Sequence, residues 1–463
     1  MRVALVNTNR IQPPIAPIGL DYLAEALHAA GHQPELLDLC WEPDWEGAIA
    51  RFFAHACYPL VGVTLRNTDD CAFTSRHSFL PETAAMVAAI RRHYEGLILL
   101  GGVGFSTLPE AVLALCPADA GIWGEGELPL VTVANRLEQG EEWLDTPGLV
   151  WRERARLRRN PPGYQALADL PAMSRGWVDN GRYFREGGQA GFETKRGCAG
   201  DCVYCADPVA KGRAVRLRPP AAVAGELEAL LGQGIDHLHT CDSELNLPPE
   251  HAAAVCWELV ARGLGERLRW YAYCAPAPFD RELAALLRRA GCVGINFGVD
   301  SGEAGMLARL GRDFAPEDIL AAAQACREAG IAVMLDLLLG SPGETAQSLA
   351  ATIELVRKAD PDLVGISLGV RVYPGTALAR EVGEGPGTVG EQGPGDPQFY
   401  LEPEVAPFAA ELLDRLIEGD RRFLCFDPSR PQQNYNYHAN QLLVEAIRRG
   451  ERGAYWDILR RCQ

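Results

Sequence analysis

Little in this chain would carry it to a membrane or to nucleic acid. Its 463 residues set 44 Lys and Arg against 61 Asp and Glu, a net charge of −17, which disfavours a sequence-independent grip on a phosphate backbone. No apolar run approaches the ~20 residues that a membrane helix needs. The opening run Met1-Arg2-Val3-Ala4-Leu5-Val6-Asn7 passes straight into a strand pattern, without the long apolar stretch and small-residue cleavage site of a signal peptide, so a cytoplasmic location is expected. The 14 cysteines, scattered and without a secretory signal, argue for reduced thiols and a metal site, against a disulfide framework.

Three of those cysteines are closely spaced. Cys198, Cys202 and Cys205 lie in Lys195-Arg196-Gly197-Cys198-Ala199-Gly200-Asp201-Cys202-Val203-Tyr204-Cys205. A CxxxCxxC triplet puts three thiolates on one short loop, enough to hold three irons of a [4Fe–4S] cluster and leave the fourth open for a ligand. A zinc knuckle would want a fourth Cys or His at ligand spacing. His237 and His239 stand too far along the chain to complete a compact one.

Residues 1–150 alternate short apolar runs with amphipathic stretches, the pattern of a doubly wound parallel sheet. Strands are expected at Val3 to Val6, Pro34 to Leu39, Leu60 to Leu65, Leu97 to Leu100 and Ala118 to Trp123, making a flavodoxin-like or Rossmann-like α/β domain. Ligands of such sheets sit beyond the carboxyl ends of the strands, which singles out the loops Thr8 to Pro14, Arg66 to Asp70, Gly101 to Ser106 and Gly124 to Glu127. The Gly101-Gly102-Val103-Gly104 run follows the fourth strand and lacks the third glycine of a dinucleotide fingerprint, so NAD is not expected there.

Residues 151–190, with Asn160-Pro161-Pro162-Gly163 and the basic patch Arg152 to Arg159, read as a solvated linker. A second alternating region follows over 191–382, with six strand patterns starting at Gly191, His237, Arg269, Val293, Ala332 and Val364. Residues 383–463 open on a Gly- and Pro-rich segment, Gly383 to Gly395, expected as a mobile loop, and continue as a small, mainly helical region.

Triplet, preceding sheet and six βα-like units together resemble the cobalamin-binding radical SAM family, over roughly residues 1–380. The resemblance implies a partial (β/α)6 barrel over 191–382, a cobalamin-binding domain over 1–150, and three cofactors: a [4Fe–4S] cluster, S-adenosylmethionine and cobalamin. It implies that Asn67, Thr68, Gly101, Gly102, Gly104, Gly124 and Glu125 meet the corrinoid, although the first domain has no DxHxxG motif to supply a cobalt-binding histidine.

Arg66 falls where the lower corrin face is expected. A guanidinium has no free lone pair for cobalt, and its charge would help a methyl group leave as an electrophile. The other reading is an ion pair with Asp69 or Asp70. In the barrel the resemblance places Tyr204 beside the adenine of S-adenosylmethionine. Cys241-Asp242-Ser243-Glu244 stands where the family has a GGE-like segment, so Asp242 or Glu244 binds the methionine ammonium or reaches the open iron. Asp300 and Ser301, then Gly340 and Pro342, occupy the places of the ribose and adenine loops. Tyr273, near the end of the third strand, is a candidate general base, and Arg371 and Tyr373 are candidates for a substrate carboxylate.

The implied activity is C-methylation, moving a methyl from S-adenosylmethionine by way of methylcobalamin to a carbon of a small-molecule or peptide-derived substrate. Arg66 and the acidic segment at 242–244 favour polar transfer to an electron-rich carbon, similar to the branch that methylates indole C2 of tryptophan. Alternatives are radical methylation of an unactivated sp3 carbon, or a cobalamin radical enzyme that cyclises, contracts or oxidises without methylating. An electron donor such as flavodoxin or ferredoxin is a partner if reduction is needed; nucleic acid and membrane are not expected.

Overall fold

A computed structural model describes residues 1–154, 156–390, 393–438 and 440–463. The first sheet is built as the alternation demands. In the strand Arg2–Asn7, Val3 and Leu5 face one layer with Leu20, Leu27 and Val133, while Ala4 and Val6 face the other with Ile49, Met86 and Ile90. Two covered faces are what a parallel sheet requires. The strands Gln33–Asp38, Arg2–Asn7, Leu60–Thr64, Leu97–Gly101 and Ala120–Ile122 lie side by side in that order, which is 2-1-3-4-5 in chain order, the flavodoxin-like arrangement.

The sheet runs past the expected boundary. Leu149–Glu153 and Arg156–Arg159 form an antiparallel hairpin added to Ala120–Ile122, so the basic patch read as linker is an edge strand of the first domain. Its four residues are all exposed, as suits an edge that repels further pairing. Arg159 also lies over the Trp123 ring, 3.3 Å from its centroid.

The second sheet holds seven parallel strands, Ala190–Phe192, His237–Thr240, Arg269–Cys274, Cys292–Asp300, Ala332–Leu339, Leu363–Leu368 and Phe423–Cys425. The six expected strands are present in order. The seventh comes from the C-terminal region, which is helical at Ala409–Ile417, Gln441–Arg448 and Tyr455–Cys462 and also supplies this edge. Outward-facing Leu238, Trp270, Ile295, Leu335 and Ile366 pack under the outer helices. On the other face, Tyr271 and Met334 pack against Leu443, Ile447, Trp456 and Ile458 of the C-terminal helices. Within 383–395, Thr388–Val389 pairs with Gln398–Tyr400, and Glu391 and Gln392 lie outside the described residues. No helix among the described residues is long and apolar enough to cross a membrane.

The domains are joined by a buried ionic clasp. Arg175 Nη1 and Arg218 Nη1 meet the two carboxylate oxygens of Glu226 at 2.7 and 2.6 Å, Arg175 Nε meets Asp21 at 2.9 Å, and Tyr22 Oη donates to Glu226. Asp21 and Tyr22 belong to the first domain's helix Ile18–Ala29, Glu226 to the barrel helix Pro220–Gly232. Two cations balance two anions, which is how charges this deeply buried are tolerated.

Candidate functional site

Two of the four expected loops, Gly101 to Ser106 and Gly124 to Glu127, line an apolar slot of about 210 Å³ together with Leu20, Val63, Leu100 and Lys211 among others, whereas Thr8 to Pro14 and Arg66 to Asp70 do not line it. Nothing lies within 4 Å of where a Cβ on Gly101 would stand, so the space there is open. Gly102 and Gly104 serve a different contact. Cβ atoms on them would sit 2.4 Å from Leu65 O and 2.9 Å from Leu65 Cγ, so their absence lets the loop after Leu60–Thr64 close on the next helix, with Gly104 N donating to Leu65 O at 3.0 Å. Gly102 also takes φ +95°, which only glycine adopts without strain. Glu125 meets Arg216 and, at 3.7 Å, Arg196, while its Oε2 is buried without a partner. Arg196 grips Glu127 bidentately at 2.7 and 3.1 Å and Glu193 at 2.7 Å, closing the slot's mouth with residues of both domains.

Arg66 does not pair with Asp69 or Asp70. Asp69 is held by Arg371 through Nε and Nη2, at 3.1 and 2.9 Å, and by Thr68 Oγ1 at 2.8 Å. Asp70 accepts from Ser75 Oγ and from the amides of Ala72 and His77. Thr68, expected at the corrinoid, and Arg371, considered for a substrate carboxylate, are therefore occupied within the protein. Arg66 is left with a 3.4 Å contact to Asn67 Oδ1 and the neighbouring Tyr437, Tyr455 and Cys241 side chains, with no carboxylate within 4 Å among the described residues. Asn67 in turn donates to Tyr437 Oη at 3.2 Å.

Tyr273 lies in an interior strand of the second sheet yet is 43% exposed. It fronts the interior space of the barrel, where Asp336, Tyr437, Arg66 and Cys241 act on it electrostatically. Enclosure within the barrel, with Asp336 second, raises its phenol, an effect softened because the residue is 43% exposed to the interior space. The raised phenol suits a hydrogen-bond donor or proton relay at neutral pH.

At the cluster loop, Cys202 Sγ accepts from Arg312 Nη1 at 3.0 Å. The same guanidinium lies 3.4 Å from Glu244 Oε1, 3.4 Å from Asp300 Oδ2, and donates to Gly298 O. Tyr204 Oη donates to Asp300 at 2.6 Å. Burial pushes the Glu244 carboxyl up to about 7 despite Arg312. Among the described residues no three His, Cys, Asp or Glu side chains gather as a single-ion metal site; three thiols on one loop suit a cluster, whose several irons each take one of them.

Two expected S-adenosylmethionine contacts are spent inside the protein. Asp242 accepts from Thr194 N and Oγ1, at 2.9 and 2.6 Å, and from Lys195 N, which fixes the strand leading into the cluster loop. Ser301 Oγ meets Thr352 Oγ1 at 3.1 Å and accepts from Glu303 N. By contrast Ser341, beside the expected Gly340 and Pro342, is 1% exposed with an unpartnered hydroxyl. Gly340 N donates to Glu344 at 3.2 Å, and φ +87° explains the glycine. Sequence reading missed Arg312, which lies in no motif, and Lys195, 4% exposed with no carboxylate within 4 Å of its ammonium among the described residues. It also missed Asp336, the one charge in the apolar strand Ala332–Leu339, a signal that was visible.

The B12 binding domain matches residues 4–134 and the radical SAM superfamily residues 192–356. Tryptophan 2-C-methyltransferase of Streptomyces laurentii is 34% identical over 82% of this chain and 74% of its own. The solved structure of the radical S-adenosylmethionine methyltransferase TsrM from Kitasatospora setae, with tryptophan substrate and a SAM analog bound, aligns with TM-score 0.92 at 31% identity, covering 99% of this chain and 98% of that one. The same protein with cobalamin and a [4Fe-4S] cluster bound gives 0.90 at 30%, covering 99% and 97%. OxsB, a cobalamin-dependent radical enzyme, shares the fold at 17% identity and TM-score 0.73, over 87% of this chain and 64% of its own. The chain belongs to the tryptophan 2-C-methyltransferase family of B12-binding radical SAM proteins.

Proposed function

We propose that this protein transfers a methyl group from S-adenosylmethionine to carbon 2 of a tryptophan-type indole by a polar route. When bound, B12 and S-adenosylmethionine supply the methyl group and its relay. The observation that carries the reading is the full-length likeness to the tryptophan-bound TsrM structure, joined by Arg66, a cation without a counter-charge in the space between the domains.

The chain's own residues fit that use. Cys198, Cys202 and Cys205 hold the cluster, with Arg312 bracing Cys202 and Glu244 beside it. The slot's open face at Gly101 and the unpartnered Glu125 Oε2 suit a large, partly polar cofactor seated beyond the strand ends. Tyr204 and Asp300 form one wall of the S-adenosylmethionine site, and the Ser341 hydroxyl supplies a free polar contact. Arg66 cannot ligate cobalt; its charge disfavours positive charge at the metal and so favours release of methyl as an electrophile. Tyr273, held protonated, donates toward the substrate.

The experiment is anaerobic reconstitution with iron, sulfide and hydroxocobalamin, metal counting, then incubation with S-adenosylmethionine and tryptophan. Four irons, one cobalt and a C2-methylated product are expected. Iron without retained cobalt contradicts the methyltransferase reading. An electron donor of the flavodoxin or ferredoxin class belongs to the radical alternative, which 5′-deoxyadenosine formation would reveal.

A further inference from the structure

Asp336 stands in the middle of Ala332–Leu339, between Leu335 and Leu337, which belong to the outer core. By strand alternation it faces the inside of the barrel. Gly365, its register partner on the next strand, makes room for it: a Cβ there would stand 2.4 Å from Asp336 Oδ1. Oδ1 accepts from Tyr435 Oη at 3.0 Å and Oδ2 from Asn296 Nδ2 at 2.8 Å. Both donors are neutral, and among the described residues no cation lies within 4 Å of the carboxylate.

Asn296 is 4% exposed, and with Nδ2 spent on Asp336 its Oδ1 has no partner among the described residues. Three acceptor atoms, two of them sharing the carboxylate's single negative charge, thus lie in the barrel interior with no cation within 4 Å among the described residues. Burial pushes the Asp336 carboxyl up to about 6, so it is largely ionised at neutral pH while lacking its counter-charge. Asp336 is half-buried and faces the cavity, so its charge is open to a ligand there, whereas the fully buried charges of the Arg175 clasp are all paired within the protein. A primary ammonium, with three donors and one positive charge, completes this set; a single indole N–H would leave the charge uncompensated. Tyr273 fronts the same space and is acted on by Asp336, while Asp300, beside the cluster loop, acts on Asp336 as a second negative charge. The ribose and adenine loop at Gly340 begins four residues further on, about 13 Å along a strand.

We infer that Asp336 and Asn296 bind the ammonium group of the substrate, making the enzyme selective for arylalkyl primary amines. The inference deepens the reading above and names the group that selects the substrate.

The test uses the full, reconstituted chain, its Asp336→Asn and Tyr435→Phe variants, and three probes: tryptophan, tryptamine, which keeps the amine, and indole-3-propionate, which keeps only the carboxylate. Asp336→Asn is expected to raise KM for tryptophan and tryptamine by about tenfold to a hundredfold, with KM for S-adenosylmethionine unchanged and any turnover of indole-3-propionate unaffected. Tyr435→Phe removes a donor but not the charge and is expected to keep the amine preference. Thermal stabilisation by tryptamine, present in the parent and absent in Asp336→Asn, is read alongside. Stabilisation by tryptamine through Asp336 without methylation of any indole would sustain the ammonium site and sink the tryptophan reading. The inference is overturned if Asp336→Asn keeps the amine preference, if its effect falls on KM for S-adenosylmethionine, if Tyr435→Phe is equally harmful, or if the parent binds neither amine.

Discussion

Arg312 Nη1 donates to the Sγ of Cys202 at 3.0 Å, and with its contacts to Glu244, Gly298 and Asp300 this pairing ties the cluster loop to the carboxyl ends of the second and fourth barrel strands. The same side chain is the cation for Asp300 and Glu244. Arg312→Met leaves two buried carboxylates without a counter-charge and is expected to cost about 3–5 kcal/mol in urea unfolding of the cofactor-free chain. Arg312→Lys keeps the charge but not the fork and should lose less, while both variants retain less iron on reconstitution.

The clasp between the domains behaves alike. Glu226 is the shared anion of Arg175 and Arg218, so Glu226→Gln strands the buried Arg218 guanidinium and leaves Arg175 with Asp21 alone. A loss of about 3 kcal/mol or more is expected, with faster proteolysis in the 160–175 segment as the domains part. Equal stability of parent and variant would show that the clasp does not join them.

Asp336 gives a pH signature. A carboxyl whose folded value is raised penalises the fold as pH climbs from the unfolded value, 3.8, through the folded one, about 6. The penalty is absent below that window, complete above it, and at most about 3 kcal/mol, trimmed by water reaching the cavity. Asp336→Asn without ligand should therefore gain stability over the parent as pH rises from 4 to 8. A difference that stays flat with pH, measured by denaturant unfolding, would contradict this.

Arg66 is the electrostatic test of polar transfer. Arg66→Gln removes the uncompensated cation without emptying its space and is expected to lower kcat by about tenfold to a hundredfold, leaving KM for tryptophan near the parent value. Arg66→Lys should recover part of the rate. A loss confined to KM would assign Arg66 to substrate binding.

How much of this was legible in the sequence follows from how local each signal is. The cysteine triplet, the strand alternation of Arg2–Asn7 and the glycine loop after Leu97–Gly101 are written in consecutive residues, and the structure has them as expected. Asp242 and Ser301 fell at motif positions, but their side chains are drawn away by Thr194 and Thr352, partners 48 and 51 residues distant. Arg66 and Arg371 show the same limit in reverse: Arg66 follows the strand Leu60–Thr64 and Arg371 lies within the strand Val370–Val372, and only the folded chain decides which of them takes Asp69. Asp336 gave a clue in its apolar strand, but its partners Asn296 and Tyr435 come from register and from the C-terminal segment.

The central claim is polar methylation of a tryptophan-type indole, and the most direct test is product counting on the anaerobically reconstituted protein with S-adenosylmethionine and tryptophan. The account predicts one S-adenosylhomocysteine for each 2-methylated tryptophan, with no 5′-deoxyadenosine. 5′-Deoxyadenosine rising in step with product, or no methylated indole from a protein carrying both its cluster and B12, would contradict it.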